Sequence, residues 1–263
     1  MSERHPHGSI TTEQRGHIWL MGLDRPEKYN GLTPKMFQEL TAAYQELETN
    51  EDLRVGILFG HGDHFTAGLD LPLFSEYMQR GERAFKQDKV DVYGQQAKIT
   101  KPLITAVQGY TYTAGIEMAL AGDIIIAAED AKFSQLEPKR GIMATGGATF
   151  RFVERGGWGN AMYHLLTCDQ FDAQEAQRIG IVQEIVETGK QVDRAIELAE
   201  QIAQQAPLAV YATKASARTY IEQGEAACIA EFASIQSRLA KTDDAAEGVE
   251  SFKERREPSF QGH

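Results

Sequence analysis

The chain has 263 residues, 42% of them hydrophobic, which suits one large domain or a domain with an appendage, with a sizeable core either way. Its 27 Lys and Arg against 38 Asp and Glu give a formal charge of −11. That balance argues against nonspecific binding to nucleic acid or an anionic membrane, but not against a small anionic ligand in a local basic pocket. Two cysteines, Cys168 and Cys228, are too few for a disulfide framework and lack metal-ligand spacing, so free thiols in a reducing cytosol are expected. No apolar run reaches the ~18–20 residues of a bilayer span. The N-terminal stretch is polar, without the apolar segment of a secretory signal, so a cytoplasmic location is expected.

Residues 17–23 (HIWLMGL) read as a buried strand. Residues 34–48 carry apolar residues at helical spacing, with Pro34 placed for a first turn. Short apolar strands are predicted over residues 55–59, 103–107 and 123–128. Residues 114–121, between the last two, leave room only for a compact crossover helix. Strand, helix, strand in that order predicts a right-handed βαβ unit and a mainly parallel sheet. Beyond about residue 145 the pattern becomes helical. Asp172 caps a short helix that stops at Gly180, and residues 181–186 suit a last strand. Residues 190–256 offer three helices, broken near Pro207 and Gly224. Near residue 200 the content changes from alternating elements to helix only, which divides the chain into a core (1–200) and a helical region (201–263).

The chemistry gathers at two glutamates. Glu117 ends GYTYTAGIE (109–117), where a helix begins directly after a strand and exposes unpaired N–H groups and a partial positive charge. Glu137 ends FSQLE (133–137), before Gly141. FTAGLD (65–70) is a tight loop whose small residues Ala67 and Gly68 let the backbone approach a ligand, and Asp70 is placed to cap the next segment. Two such turns can aim N–H groups at one carbonyl oxygen while two carboxylates move protons beside it. Other candidates are weaker. His61, Asp63 and His64 read as a polar loop rather than a metal site, and Gly156, Gly157 and Gly159 do not form a dinucleotide fingerprint.

In order and spacing these segments resemble the enoyl-CoA hydratase, or crotonase, superfamily over nearly the whole chain. RPEKYNGL (25–32) is similar to its Arg-Pro…Asn-Ala-Leu segment, and residues 65–70 to its Phe-x-Ala-Gly-x-Asp loop. Residues 109–123 resemble Gly-Gly-Gly-x-Glu-Leu-Ala-x-x-Cys-Asp, residues 133–141 Phe-x-x-Pro-Glu…Gly, and residues 247–260 the family's C-terminal helix. The resemblance implies an α/β crotonase-like spiral of ββα turns with a C-terminal helical trimerisation region. It implies oxyanion-hole N–H groups at Leu69 and Ala114, with Glu117 as base toward water and Glu137 as acid. It implies coenzyme A contacts at Lys28, at Ala67, Gly68 and Asp70, and at Phe252 and Arg255, which lie i and i+3 on one helix face and in this family often reach a neighbouring subunit.

The expected activity is hydration of 2-enoyl-CoA, with Δ3–Δ2 enoyl-CoA isomerisation and idle acyl-CoA binding as alternatives. No metal or redox cofactor is expected, since coenzyme A is part of the substrate. The expected partner is acyl-CoA, in a homotrimer or dimer of trimers. The chain also departs from the pattern. Thr113 and Ala114 stand where glycines are frequent, Leu136 replaces a proline, and Met143 and Ala144 replace Ile-Pro. Thr113 is expected to narrow the channel for the acyl chain.

Overall fold

The computed structural model describes residues 5–81 and 90–263; the first four residues of the polar N-terminal stretch lie outside it. A six-stranded sheet runs in the order β1 (Ser9–Arg15), β2 (Ile18–Asp24), β3 (Val55–Gly60), β4 (Leu103–Val107), β6 (Ile124–Ala128), β9 (Glu184–Val186) among the described residues. Only the β1–β2 pair is antiparallel, so the expected mainly parallel sheet is present. β1 went unnoticed in the sequence because it is a polar edge strand whose last five residues are exposed.

Helices cover both faces of the sheet. Alternate residues Val55 and Ile57 of β3 and Ile104 and Ala106 of β4 face α6 (Gln191–Ala203), as the period of two requires. That helix presents Ala195, Ala199 and Ala203 at a spacing of four, small enough for close approach. The opposite face packs on α1 (Pro34–Thr49), whose Phe37, Leu40, Tyr44 and Leu47 are buried as its periodicity predicts. Thr33 caps that helix, accepting from the Met36 N–H, and Pro34 opens it. The boundary expected at residue 200 falls inside α6, which packs with the core.

A second, small sheet positions the site. It contains β5 (Tyr110–Tyr112), β7 (Lys132–Ser134) and β8 (Phe171–Asp172). β5 and β7 are parallel, and the loop at Thr66 joins them as a further parallel segment. The Thr66 N–H donates to the Tyr110 carbonyl at 2.9 Å and the Tyr112 N–H to the Thr66 carbonyl at 3.0 Å. The chain thus alternates between the two sheets, and each passage leads to a helix or turn: α2 (Leu71–Arg80), α3 (Ala114–Ala121), and the turn after Glu137 before α4 (Ala148–Thr167). Leu69, Ala114 and Glu137 therefore follow the ends of three neighbouring parallel segments, the place where ligands meet parallel sheets.

The remaining helices are α5 (Ala173–Arg178), α7 (Pro207–Gln223), α8 (Glu225–Leu239) and α9 (Asp243–Glu254). Asp172 caps α5 as expected. The C-terminal part holds one more helix than expected, because the chain breaks at residues 240–242 without glycine or proline and Thr242 caps α9. Arg54 ties this region to the core, donating to the carbonyls of Ala203 and Phe260 at 2.9 and 2.8 Å.

Candidate active site

The two turns meet. Gly68 has φ +97°, and a β-carbon there would collide with the Thr113 hydroxyl oxygen. Each contact residue directly precedes one expected donor: Gly68 precedes Leu69, and Thr113 precedes Ala114. The N–H groups of Leu69 and Ala114 have no acceptor among the described residues, whereas their neighbours are engaged. The Asp70 N–H donates to Leu32 O and the Thr113 N–H to Ser134 O, at 2.9 and 3.0 Å. Ala114 is buried, so an unpaired donor there is costly unless a ligand meets it.

Thr113 adopts φ 50°, ψ −117°, a region natural to glycine and strained for a β-branched residue by about 1–3 kcal/mol. Its γ-oxygen is turned toward Gly68, whereas the sequence suggested that it lines the acyl channel.

Glu117 lies in the first turn of α3 and is only 4% exposed. Its Oε1 accepts from the N–H groups of Gly146 and Ala148 at 2.7 and 3.2 Å, at the start of α4. Burial pushes its carboxyl up to about 7; the charge of Glu137 adds to the rise, while these N–H donors and Arg151 oppose it. Arg151 is buried, donates to Gly146 O at 3.1 Å and Tyr93 O at 2.6 Å, and so fixes the turn that holds the carboxylate. Glu137 is raised as well, chiefly by burial. Its Oε1 accepts from Gln135 Nε2 at 3.1 Å, and its buried Oε2 has no partner among the described residues. Two carboxyls that feel one another, both raised, suit an acid and a base working on one small molecule.

The loops expected to hold coenzyme A are knit together. The Ala67 N–H donates to Tyr29 O at 2.9 Å, and the Leu32 N–H to Gly68 O at 2.8 Å. Lys28 is exposed in this loop and forms no ion pair among the described residues. Asp70 corrects its expected capping role: it precedes α2, but its carboxylate caps nothing and accepts from buried Arg25 at 2.8 Å. Buried Asn30 supports the same loop, donating to the carbonyls of His61 and His64 at 2.9 and 2.7 Å. Phe252 and Arg255 stand apart at the end of α9, and they do not share one helix face as expected: Phe252 is in the last turn, while Arg255 is the C-cap that ends the helix in a left-handed conformation, φ 58°. Phe252 is 84% exposed, and no hydrogen bond, ion pair or ring contact joins either residue to these loops among the described residues. Gly146, Ala148, Arg151, Tyr93 and Gln135 were not picked out from the sequence as site residues. The glycine pair directly before an apolar helix is the signal for the first two, since such a helix start binds a carboxylate.

A family model described as enoyl-CoA hydratase/isomerase matches residues 13–263. Enoyl-CoA hydratase EchA19 of Mycobacterium tuberculosis is 32% identical over 252 residues, 95% of each chain. The (E)-benzylidenesuccinyl-CoA hydratase of Thauera aromatica is 34% identical over 254 residues, covering 96% of this chain and 99% of that protein. The crystal structure of a probable enoyl-CoA hydratase/isomerase from Mycobacterium abscessus superposes with a TM-score of 0.93 at 44% identity, covering 97% of this chain and 98% of that one. The spiral of strands with its helical C-terminal region is the crotonase fold, and the chain belongs to the enoyl-CoA hydratase/isomerase family.

Proposed function

We propose that the protein is a 2-enoyl-CoA hydratase, adding water syn across the 2,3-double bond of an enoyl-CoA thioester to give a 3-hydroxyacyl-CoA. The observation that carries this reading is the buried pair Glu117 and Glu137 beside the N–H groups of Leu69 and Ala114, which have no acceptor among the described residues. The thioester oxygen sits between the two N–H groups, which stabilise the enolate as charge develops. One water lies between the carboxyls. Glu117, whose carboxylate is held by two backbone donors and whose raised carboxyl readily accepts a proton, takes one as hydroxide bonds to C3. Glu137, with one buried oxygen that has no partner among the described residues, carries the proton that C2 receives.

Isomerisation of a 3-enoyl-CoA needs one shuttle only, so the second carboxyl favours hydration. Incubating the purified protein with a short 2-enoyl-CoA and following the enoyl thioester absorbance tests the choice. Loss of absorbance is expected. Conversion of 3-enoyl to 2-enoyl thioester without water addition would reverse it in favour of the isomerase, and binding without either reaction would favour an idle binder.

Coenzyme A is proposed to lie along Lys28, Ala67 and Gly68, with Asp70 acting through Arg25 to hold that loop. The exposed Phe252 and Arg255 are proposed to complete the site of a neighbouring copy in a homotrimer or dimer of trimers. Exposed Tyr220, Ile221, Ile229, Phe232 and Val249 on α7, α8 and α9 support such an assembly. The reaction so written uses no metal or redox cofactor. A reducing, cytoplasmic setting is proposed on Cys168 and Cys228, both free thiols.

A further inference from the structure

We propose that Thr113 is a positioning residue: its side chain wedges against Gly68 and fixes the spacing between the Leu69 and Ala114 N–H groups. The inference rests on the reading of these two groups as an oxyanion hole. Three observations carry it. Thr113 holds φ 50°, ψ −117°, a conformation that a β-branched side chain adopts only under external constraint. Its hydroxyl oxygen faces the Gly68 backbone so closely that no β-carbon fits there. Its own N–H is anchored to Ser134 O at 3.0 Å, in the parallel neighbour of its strand. The side chain therefore spans from an anchored strand to the turn that aims the other donor. Glycine at 113 would satisfy the backbone without strain and leave the two turns free to breathe.

This differs from a specificity role. A side chain that faces the acyl group changes the ratio of rates between slim and bulky substrates. A wedge between the donors changes the stabilisation of the enolate for every substrate alike.

The test compares Thr113→Gly and Thr113→Ser with the parent in the full chain. Acetoacetyl-CoA is the first probe, because it has no double bond to hydrate and its absorbing enolate forms in proportion to oxyanion stabilisation. Hydration of a short and a bulky enoyl-CoA is the second, and thermal unfolding the third. Thr113→Gly is expected to lose most of the bound enolate and to lower kcat roughly 10- to 100-fold, with KM little changed. Its Tm is expected to equal or exceed that of the parent, because the strain is gone. Thr113→Ser keeps the γ-oxygen and is expected to restore both enolate and kcat. Parent-like enolate in Thr113→Gly, a Thr113→Ser as poor as glycine, or a loss confined to the bulky substrate would each overturn the wedge. A parent that forms the enolate but adds no water would sink the hydratase reading and leave the wedge to be decided by the enolate alone.

Discussion

The Gly146 N–H donates to Glu117 Oε1 at 2.7 Å, and a β-carbon on Gly146 would stand 2.6 Å from Glu117 Oε2. The ring edge of Tyr93 flanks the same point, at 2.7 Å. Glycine is required here for space rather than for backbone conformation, since its φ lies outside the left-handed region. Gly146→Ala should fold, yet push the carboxylate away from its donors and from the place proposed for the attacking water. A fall in kcat of roughly 10- to 100-fold is expected, the scale of an ångström's misplacement. Steady-state hydration kinetics with a thermal melt would check it, and full activity would mean that Glu117 does not need this cradle.

The two glutamates should behave as a unit. Glu117→Gln keeps an oxygen that accepts from Gly146 and Ala148, and Glu137→Gln keeps a partner for Gln135, so both variants should fold and bind acyl-CoA. Each removes a proton-transfer group, so kcat should fall at least ~10²-fold. Near-normal hydration in either variant would defeat the two-carboxyl mechanism, while binding measured by calorimetry separates lost chemistry from lost affinity.

The elements read correctly from sequence are those with enough length for a pattern: α1 through its buried stripe, β3 and β4 through their apolar runs. The glutamates proposed for catalysis stood out because each follows a glycine-bearing or turn-forming stretch in a fixed order. The small sheet was not, because β5 and β7 span three residues each and have no period to detect. Yet those strands set Leu69, Ala114 and Glu137 side by side. The Glu117 cradle was hidden for a related reason: its donors lie 29 and 31 residues downstream, and only the spiral brings them back. The direction of the Thr113 side chain follows from a strained φ that side-chain type alone would not predict.

The C-terminal region should report on both coenzyme A and assembly. Arg255 is exposed at the end of α9, with no ion pair in its own chain among the described residues. Arg255→Ala should raise KM for coenzyme A esters more than for pantetheine analogues, which lack the 3′-phosphoadenosine. Equal effects on both would make the residue structural. Deleting residues 205–263 leaves α6 on the sheet but removes the exposed apolar faces of α7, α8 and α9. Loss of the oligomer is expected by light scattering, and an active, well-behaved monomer would refute the assembly role.

The raised carboxyl of Glu117 links activity and stability to pH in opposite senses. Its ordinary value of 4.5 applies to the unfolded chain, and burial moves it to about 7 in the fold. Between those values the folded protein holds a proton that the unfolded chain has released, so stability falls as pH rises through this window. A shift of this size corresponds to about 3 kcal/mol, all of it lost above pH ~7. Glu117→Gln has no proton to lose, so its unfolding free energy should vary less between pH 5 and 8 and should exceed the parent's at pH 8. Denaturant unfolding at fixed protein concentration reads the difference directly. Activity runs the other way: a base must be ionised, so kcat/KM should climb as pH rises through about 7. Because Glu137 must keep its proton, a later fall would report its ionisation, whereas a profile with no rising limb near 7 would remove Glu117 from the base's part.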